Sequence, residues 1–211
     1  MRYIKLLLAT IIILCTALPV EAVTRTVTTC NSTNIQAAIN LATDGVDDVY
    51  LDCATGTISS PVTLNKSVTL HGRNSSYKTG TASTVLTMTS TLTMSGNGNT
   101  SMVVKDMKLT GSVSMGYLIV EGSMNGWRIT NTWIEAGSYA VSTWGYQRGL
   151  IDNNRFTTIG GYNAVMVHIQ EDNFAASYAR PSSLGTVNAV FLEDNIIIAT
   201  VTGMEFIMSQ A

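Results

Sequence analysis

Two carboxylates, Asp152 and Glu193, occupy the same place in two copies of a repeated phrase, "GLIDNNRF" (149–156) and "VFLEDNII" (190–197). If the copies stack as neighbouring strands, these two side chains lie in one outward row. Calcium prefers oxygen ligands, and carboxylates from separate segments commonly supply them. Carboxylates stacked in such a row are of the type that binds calcium. The alternative is a solvated polar row in which the carboxylates are incidental.

Side chains suited to holding a sugar occur in the same part of the chain. The longest non-repetitive stretch, "EDNFAASYARPSSLG" (171–185), contains Tyr178 and Arg180. Loops that leave a regular scaffold often carry binding residues. Trp144 and Tyr146 offer further flat faces shortly before the first carboxylate. We predict that these four residues bind substrate. The alternative is that half of the aromatic residues in this part of the chain fill the core or a corner, Trp133 in particular.

The elements that position these residues are predicted by repetition. A third copy of the phrase, "WRITNTWI" (127–134), shares the register of the other two. Two sets of apolar residues then align five positions apart: Val104, Ile129, Ile151 and Leu192, followed by Leu109, Ile134, Phe156 and Ile197. A drifting period in the low twenties is typical of a solenoid, in which stacked turns together bury what one turn cannot.

The same alignment predicts how the polar positions stack. Asn154 and Asn195 share a column with Thr132, which predicts an asparagine ladder at one corner of each turn. A shorter-spaced copy, "HIQEDNF" (168–174), adds Gln170 to the outward row. The row is then predicted to read Lys105, Thr130, Asp152, Gln170 and Glu193.

Composition agrees with a strand-rich domain. The chain has 211 residues, a formal net charge of -2 and only 12% charged residues, which gives no basis for electrostatic binding to nucleic acid. Hydrophobic residues make up 45%, too many for a disordered chain. They occur in short Val-, Ile- and Thr-rich runs separated by Gly, Asn and Ser, as in a protein built from many short strands.

One helix is predicted. Thr33 and Gln36 have the spacing of a capping box, and apolar residues follow at helical intervals. The sequence predicts a helix near residues 33–43 that covers the open N-terminal end of the solenoid, where apolar side chains and strand edges would otherwise meet water.

The N-terminus has the three-part form of a secretory signal peptide. Two positive charges among the first five residues precede the apolar stretch "LLLATIIILC", and small residues at Val20 and Ala22 end it. We predict a signal peptide at 1–22 and a mature domain at 23–211, without membrane association after cleavage. The alternative is a membrane anchor, although the apolar stretch is short for a span.

Cys30 and Cys53 are the only cysteines of the predicted mature chain. In an oxidising compartment such a pair most simply forms one disulfide. The alternative is two buried free thiols.

The segment from Ser32 to Gly72 resembles the N-terminal cap and first coil of right-handed parallel β-helix proteins of the pectate-lyase-like superfamily, and "GLIDNNRF" resembles their later coils. The resemblance implies an all-β, right-handed, single-stranded parallel β-helix with polysaccharide as its partner. In lyases of this superfamily an arginine often acts as the base while calcium acidifies the sugar proton. The resemblance therefore places the base at Arg148 or Arg155, and calcium at Asp152 and Glu193.

Two classes of function follow. Leu150-Ile151-Asp152-Asn153 stands where pectate lyases carry a Trp-Ile-Asp-His phrase. The protein is therefore expected to be an exported (secreted, periplasmic or cell-surface) polysaccharide-interacting β-helix, either a lyase or hydrolase or a non-catalytic adhesin or tailspike-like module. The final segment, "TGMEFIMSQA", follows a coil without a recognisable cap, which predicts a C-terminally truncated fragment with further coils beyond Ala211.

Overall fold

The computed structural model describes residues 21–111, 117–145, 147–159, 165–170, 190–199 and 205–210. They contain one helix, α1 (Ser32–Leu41), placed between β2 and β3. The strands in chain order are β1 (Thr24–Val27), β2 (Cys30–Asn31), β3 (Asp48–Leu51), β4 (Thr55–Ile58), β5 (Val62–Leu64), β6 (Thr69–His71), β7 (Ser75–Ser76), β8 (Thr81–Ala82), β9 (Val85–Met88), β10 (Leu92–Asn99), β11 (Val103–Lys105), β12 (Lys108–Gly111), β13 (Leu118–Thr130), β14 (Trp133–Ala136), β15 (Val141–Trp144), β16 (Gln147–Asp152), β17 (Arg155–Thr158), β18 (Val165–Gln170), β19 (Val190–Glu193), β20 (Ile196–Ile198) and β21 (Glu205–Gln210).

The strands stack into three faces of a parallel β-helix. Face 1 has the order β1-β3-β6-β11-β13-β16-β19, and face 2 has the order β2-β4-β9-β12-β14-β17-β20. Face 3 stacks β5, β10, β13, β15, β18 and β21, because the long strand β13 turns a corner and contributes to two faces. Apart from the antiparallel β7–β8 hairpin, the strand pairs formed by the described residues are parallel. The predicted fold class is confirmed.

Both predicted sets of aligned apolar residues contribute to the interior, except that Ile197 in β20 is 37% exposed. Ile129 pairs in register with Val104 and Ile151, and Ile151 pairs with Leu192. The second set pairs in the same way on face 2. Val104, Ile129 and Ile151 are fully buried, and Leu192 packs against this core. Each buried aliphatic side chain contributes about 1.5–3 kcal/mol, so the stack is a main source of stability.

The corner between faces 1 and 2 explains why the phrase recurs. Four successive turns place a residue with positive φ there: Asp106, Asn131, Asn153 and Asp194. Aspartate and asparagine tolerate this left-handed conformation better than other residues that carry a Cβ. The next residue in the chain turns inward, and the predicted polar column of Thr132, Asn154 and Asn195 occupies that position.

The asparagine ladder is confirmed, and its partners are backbone groups. The Asn154 side chain accepts a hydrogen bond from the Thr132 backbone N–H (3.0 Å) and donates to the Ile129 carbonyl (2.9 Å). Asn195 repeats this one turn later, with the Asn154 N–H and the Ile151 carbonyl as partners. Each asparagine therefore satisfies buried backbone groups of the preceding turn.

Helix α1 closes the N-terminal end as predicted, but the predicted capping box is wrong. The N-cap is Asn31, whose side chain accepts the Asn34 N–H at 2.9 Å. The Gln36 side chain instead bonds both the N–H (2.7 Å) and the carbonyl (3.1 Å) of Thr63 in β5. It thereby satisfies the edge of β5, the first face 3 strand among the described residues, while Ile35 and Ile39 on the helix are fully buried.

A disulfide joins Cys30 to Cys53, as predicted. It connects β2 of the first turn to the segment after β3 in the second turn, so it fastens the cap to the first complete coil. Within the described part of the chain, no helix has the length and apolar character needed to span a membrane.

Candidate functional site

The candidate site lies on the outer surface of face 1, where β13, β16 and β19 stack. The register brings Arg128, Leu150 and Phe191 into one outward column. Two residues further along each strand, Thr130, Asp152 and Glu193 form a second column. These columns adjoin because side chains two apart on a strand share a face.

Asp152 is an outward residue that is nevertheless buried. Its carboxylate accepts hydrogen bonds from Nε (2.8 Å) and Nη2 (2.5 Å) of Arg128 in the preceding turn. The Asn153 side chain donates a further bond at 2.7 Å. Only 6% of the Asp152 side chain is exposed, against 46% of the Arg128 side chain. The arginine therefore covers the carboxylate and presents its own outer edge to solvent.

The charges of this pair stabilise one another. Burial opposes ionisation of Asp152, but the hydrogen bonds from Arg128 and Asn153, together with the positive charge of Arg128, outweigh it and hold the pKa of the carboxyl below its ordinary value. The hydrogen bond to Asp152 correspondingly raises the pKa of Arg128. Both groups are therefore charged at neutral pH.

Beside this pair, a groove of about 340 Å³ opens on the same surface. We call it the face 1 groove; it is lined by Asn125, Gly126, Trp127, Arg148, Gly149, Leu150, Phe191 and Glu193. Its floor depends on Gly149, where an added Cβ would lie only 2.2 Å from the indole ring of Trp127. Trp127 itself is 1% exposed, so it fills the corner beneath the groove and is not a free platform.

The walls of the groove combine apolar and charged groups. Leu150 and Phe191 are half-buried and neighbour each other in register. Arg148 is half-buried and Glu193 is exposed, and neither forms a salt bridge with another described residue. An apolar surface with a guanidinium and a carboxylate beside it suits a ligand that has both C–H faces and hydrogen-bonding groups.

The two predicted base candidates lie on different faces. Arg148 is at the groove on face 1, whereas Arg155 begins β17 on face 2. The Arg155 guanidinium donates to the Tyr77 carbonyl (3.5 Å) and lies 5.6 Å from the Trp133 ring centroid. Lys108 covers the same ring at 3.6 Å, so Trp133 serves packing on the outside of face 2. Of the two arginines, only Arg148 lines the face 1 groove, which Glu193 also lines.

The remaining predicted site residues fall in three places. Trp144 is 39% exposed at the end of β15 on face 3. Tyr146, Tyr178 and Arg180 lie outside the described residues. The placement of Gln170 in the outward row is wrong, since Gln170 pairs in register with Trp144 on face 3, and Glu193 follows Asp152 directly. The shorter spacing of that copy was the signal that it belongs to another face.

Calcium binding at Asp152 and Glu193 stays a prediction. The two residues are register neighbours, but both Asp152 oxygens are engaged by Arg128. Among the described residues, no group of three or more His, Cys, Asp or Glu side chains is arranged to hold a metal ion.

Sequence reasoning missed Arg128, Leu150 and Phe191. A signal for them was present, because aligning Ile129, Ile151 and Leu192 already places the preceding residues in one outward column. The sequence did not predict a role for this column because its three members are of different residue types.

Comparison with known protein families, curated proteins and solved structures finds no match to this chain. The strand order and the helix at the N-terminal end define the class of the protein, which is a parallel β-helix with an N-terminal helix cap.

Proposed function

We propose that this is an exported β-helix protein, related to the pectate-lyase-like superfamily, that binds acidic polysaccharide in the face 1 groove without cleaving it. The observation that carries the proposal is the groove itself, where Leu150 and Phe191 form an apolar wall beside the guanidinium of Arg148. Export is supported by the leader-like N-terminus and by the Cys30–Cys53 disulfide, a bond typical of oxidising compartments.

The chemistry of the groove matches that of a uronate polymer. Leu150 and Phe191 can contact the C–H face of a sugar ring, and Arg148 can bind its carboxylate through two parallel N–H donors. Arg128 adds to this, because Asp152 engages only two of the five guanidinium N–H groups and nearly half of the side chain is exposed. Glu193 can accept bonds from sugar hydroxyls on the opposite side.

The hydrogen bonds between Asp152 and Arg128 favour binding over lyase chemistry. A calcium-assisted lyase needs carboxylate oxygens free for the metal, and the only buried carboxylate beside this groove is held by Arg128 within the described structure. The pair instead supplies a fixed, exposed guanidinium edge, which suits recognition of a carboxylate on the polymer.

The proposal is tested by titrating the protein with polygalacturonate and with neutral dextran in a calorimeter. Polygalacturonate should bind, and Arg148→Gln and Phe191→Ala should each weaken binding by about tenfold or more, the usual effect of losing one charged hydrogen bond or one buried contact. Arg73→Gln is the matched control: it removes the same charge from an arginine bound to Asp52, near the N-terminal end. It should leave the affinity unchanged.

Equal losses in Arg148→Gln and Arg73→Gln, or no binding to polygalacturonate, would exclude the face 1 groove as the binding site. Incubation of the polymer with the protein and calcium gives an independent arm. Unsaturated products, detected by ultraviolet absorbance, would overturn the proposal of binding without cleavage. Loss of these products in Arg148→Gln at saturating polymer, where the weaker binding no longer matters, would assign the base to Arg148.

A further inference from the structure

A buried carboxylate at the N-terminal end has an arrangement that the polysaccharide proposal does not explain. The Asp47 side chain is only 1% exposed and lies immediately before β3. Its Oδ2 accepts hydrogen bonds from the Arg25 guanidinium (3.0 and 3.2 Å) and from the Thr43 backbone N–H (2.9 Å). Its Oδ1 accepts the backbone N–H of Val23 at 2.9 Å. Asp47 therefore joins the start of β1, the segment after α1 and the start of β3.

The Val23 nitrogen is also the backbone atom that the predicted signal-peptidase cleavage would convert into the new N-terminus. Val20 and Ala22 are the small residues expected at positions −3 and −1 of a signal-peptidase site, which places the scissile bond between Ala22 and Val23. Glu21 and Ala22 are exposed, so this bond stands clear of the folded domain. The predicted cleavage site and the hydrogen bond to Asp47 are independent observations, and both concern the Val23 nitrogen.

We propose that Asp47 is the receptor for the mature N-terminus, so that removal of the leader completes an ion pair between the new Val23 α-ammonium and the Asp47 carboxylate. In the cleavage, water adds across the Ala22–Val23 peptide bond, Ala22 leaves with a carboxylate, and the Val23 amine takes up a proton. No rearrangement is needed, because the nitrogen already lies within hydrogen-bonding distance of Oδ1.

The physical gain comes from the change in charge at the nitrogen. Before cleavage it donates as a neutral amide, and afterwards as a cation to an anion; charge-assisted bonds are roughly twice as strong as neutral ones. The site is prepared for an anion, since hydrogen bonds from the backbone of Thr43 and Val23 are the main causes that lower the pKa of Asp47 to about 2. The carboxylate is therefore ionised at neutral pH.

The first experiment uses the full-length chain, exported from a bacterium with its own leader. Intact mass and N-terminal sequencing should show a chain that begins at Val23. The α-amine is then titrated by pH-dependent labelling, and its pKa should lie above the ordinary range of about 7.7–8.0 because Asp47 favours the charged form. A terminus other than Val23, or an α-amine that titrates within the ordinary range, would overturn the proposal.

The second experiment separates this ion pair from a general role of Asp47 in folding. One alanine is inserted between Ala22 and Val23 so that cleavage leaves the charge one residue away, and this change is combined with Asp47→Asn. The insertion should lower Tm by roughly 3–8 °C in the parent and have little effect in Asp47→Asn. Asp48→Asn, an exposed neighbour, is the matched control and should keep the full effect.

An insertion that costs the same in the parent and in Asp47→Asn would show that the two groups are not coupled. If Asp47→Asn does not fold, the α-amine titration of the parent still decides the question. Neither readout depends on polysaccharide, so failure of polysaccharide binding would leave this proposal intact. The two proposals share only export of the protein, which the N-terminal sequencing tests directly.

Discussion

The side chain of Asn154 bonds across one turn of the β-helix to the backbone of Thr132, with 3.0 Å between the Thr132 nitrogen and Oδ1. Asn154 is fully buried and also donates to the Ile129 carbonyl. Truncating it would leave an N–H donor and a carbonyl acceptor without partners inside the solenoid. This bond pattern gives each corner asparagine an energetic role as well as a geometric one.

We therefore predict that Asn154→Ala lowers the free energy of unfolding by roughly 2–6 kcal/mol, since each of the two unsatisfied buried groups costs about 1–3 kcal/mol. Urea unfolding followed by circular dichroism measures this loss. Asn195→Ala, which removes the same contacts at a half-buried position, should cost less because water can reach the freed groups. Equal losses at the two positions would show that burial does not set the cost.

Stability should fall in acid because two carboxyls have depressed pKa values. The pKa of Asp47 is about 2 against an ordinary 3.8, and that of Asp152 is also lowered. A group with a depressed folded-state pKa stabilises fully above its unfolded value and loses this contribution as pH falls through the folded value. Urea midpoints should therefore hold at neutral pH and drop between about pH 4 and pH 2.

Asp47→Asn tests the origin of this acid sensitivity. The variant should be less stable at neutral pH and should show a shallower fall below pH 4, because the depressed carboxyl is gone. Asp48→Asn has the same charge change at an exposed position and should follow the parent curve. An unchanged slope in Asp47→Asn would assign the acid sensitivity to other carboxyls.

The floor of the face 1 groove should be intolerant of a methyl group at Gly149. The added Cβ would lie 2.2 Å from two ring atoms of Trp127, whose side chain is packed in the interior. Overpacking of this kind costs typically 1–3 kcal/mol and shifts the backbone. Gly149→Ala should therefore lower Tm and weaken polygalacturonate binding. Gly96→Ala, whose Cβ would meet only side-chain ends 3.3–3.4 Å away, should change both far less.

Much of the fold could be predicted because the repeat fixes which residues stack. The pairing of Ile129 with Val104 and Ile151 follows directly from the aligned phrases, and the inward column at Asn154 follows from the same alignment. The copy containing Gln170 was misplaced because similar letters recur on face 3, where the strand has the same alternation but a different position in the turn. Local pattern alone cannot distinguish two faces of a solenoid.

The site could be predicted only in part because its chemistry depends on contacts between turns. Asp152 was found as a carboxylate in a row, but its bond to Arg128 of the preceding turn decides what that carboxylate can do. The covering of Trp133 by Lys108 was likewise invisible, because the two residues lie 25 positions apart and meet only through register. Such pairings become readable once the period of each turn is known.

The helix cap provides a final test, because Gln36 replaces a strand as the partner of β5. Its amide donates to the Thr63 carbonyl and its side-chain oxygen accepts the Thr63 N–H, so both groups of one edge residue are satisfied. Gln36→Glu retains an acceptor but loses the donor, and it sets a charge beside the carbonyl. We expect Gln36→Glu to lower the free energy of unfolding by about 1–3 kcal/mol at neutral pH, at least as much as Gln36→Ala.

Lowering the pH protonates the new carboxyl of Gln36→Glu and restores a donor. The difference in unfolding free energy between Gln36→Glu and the parent should therefore narrow near pH 4 in urea unfolding. A gap that is independent of pH would show that the contact with Thr63 does not stabilise the cap.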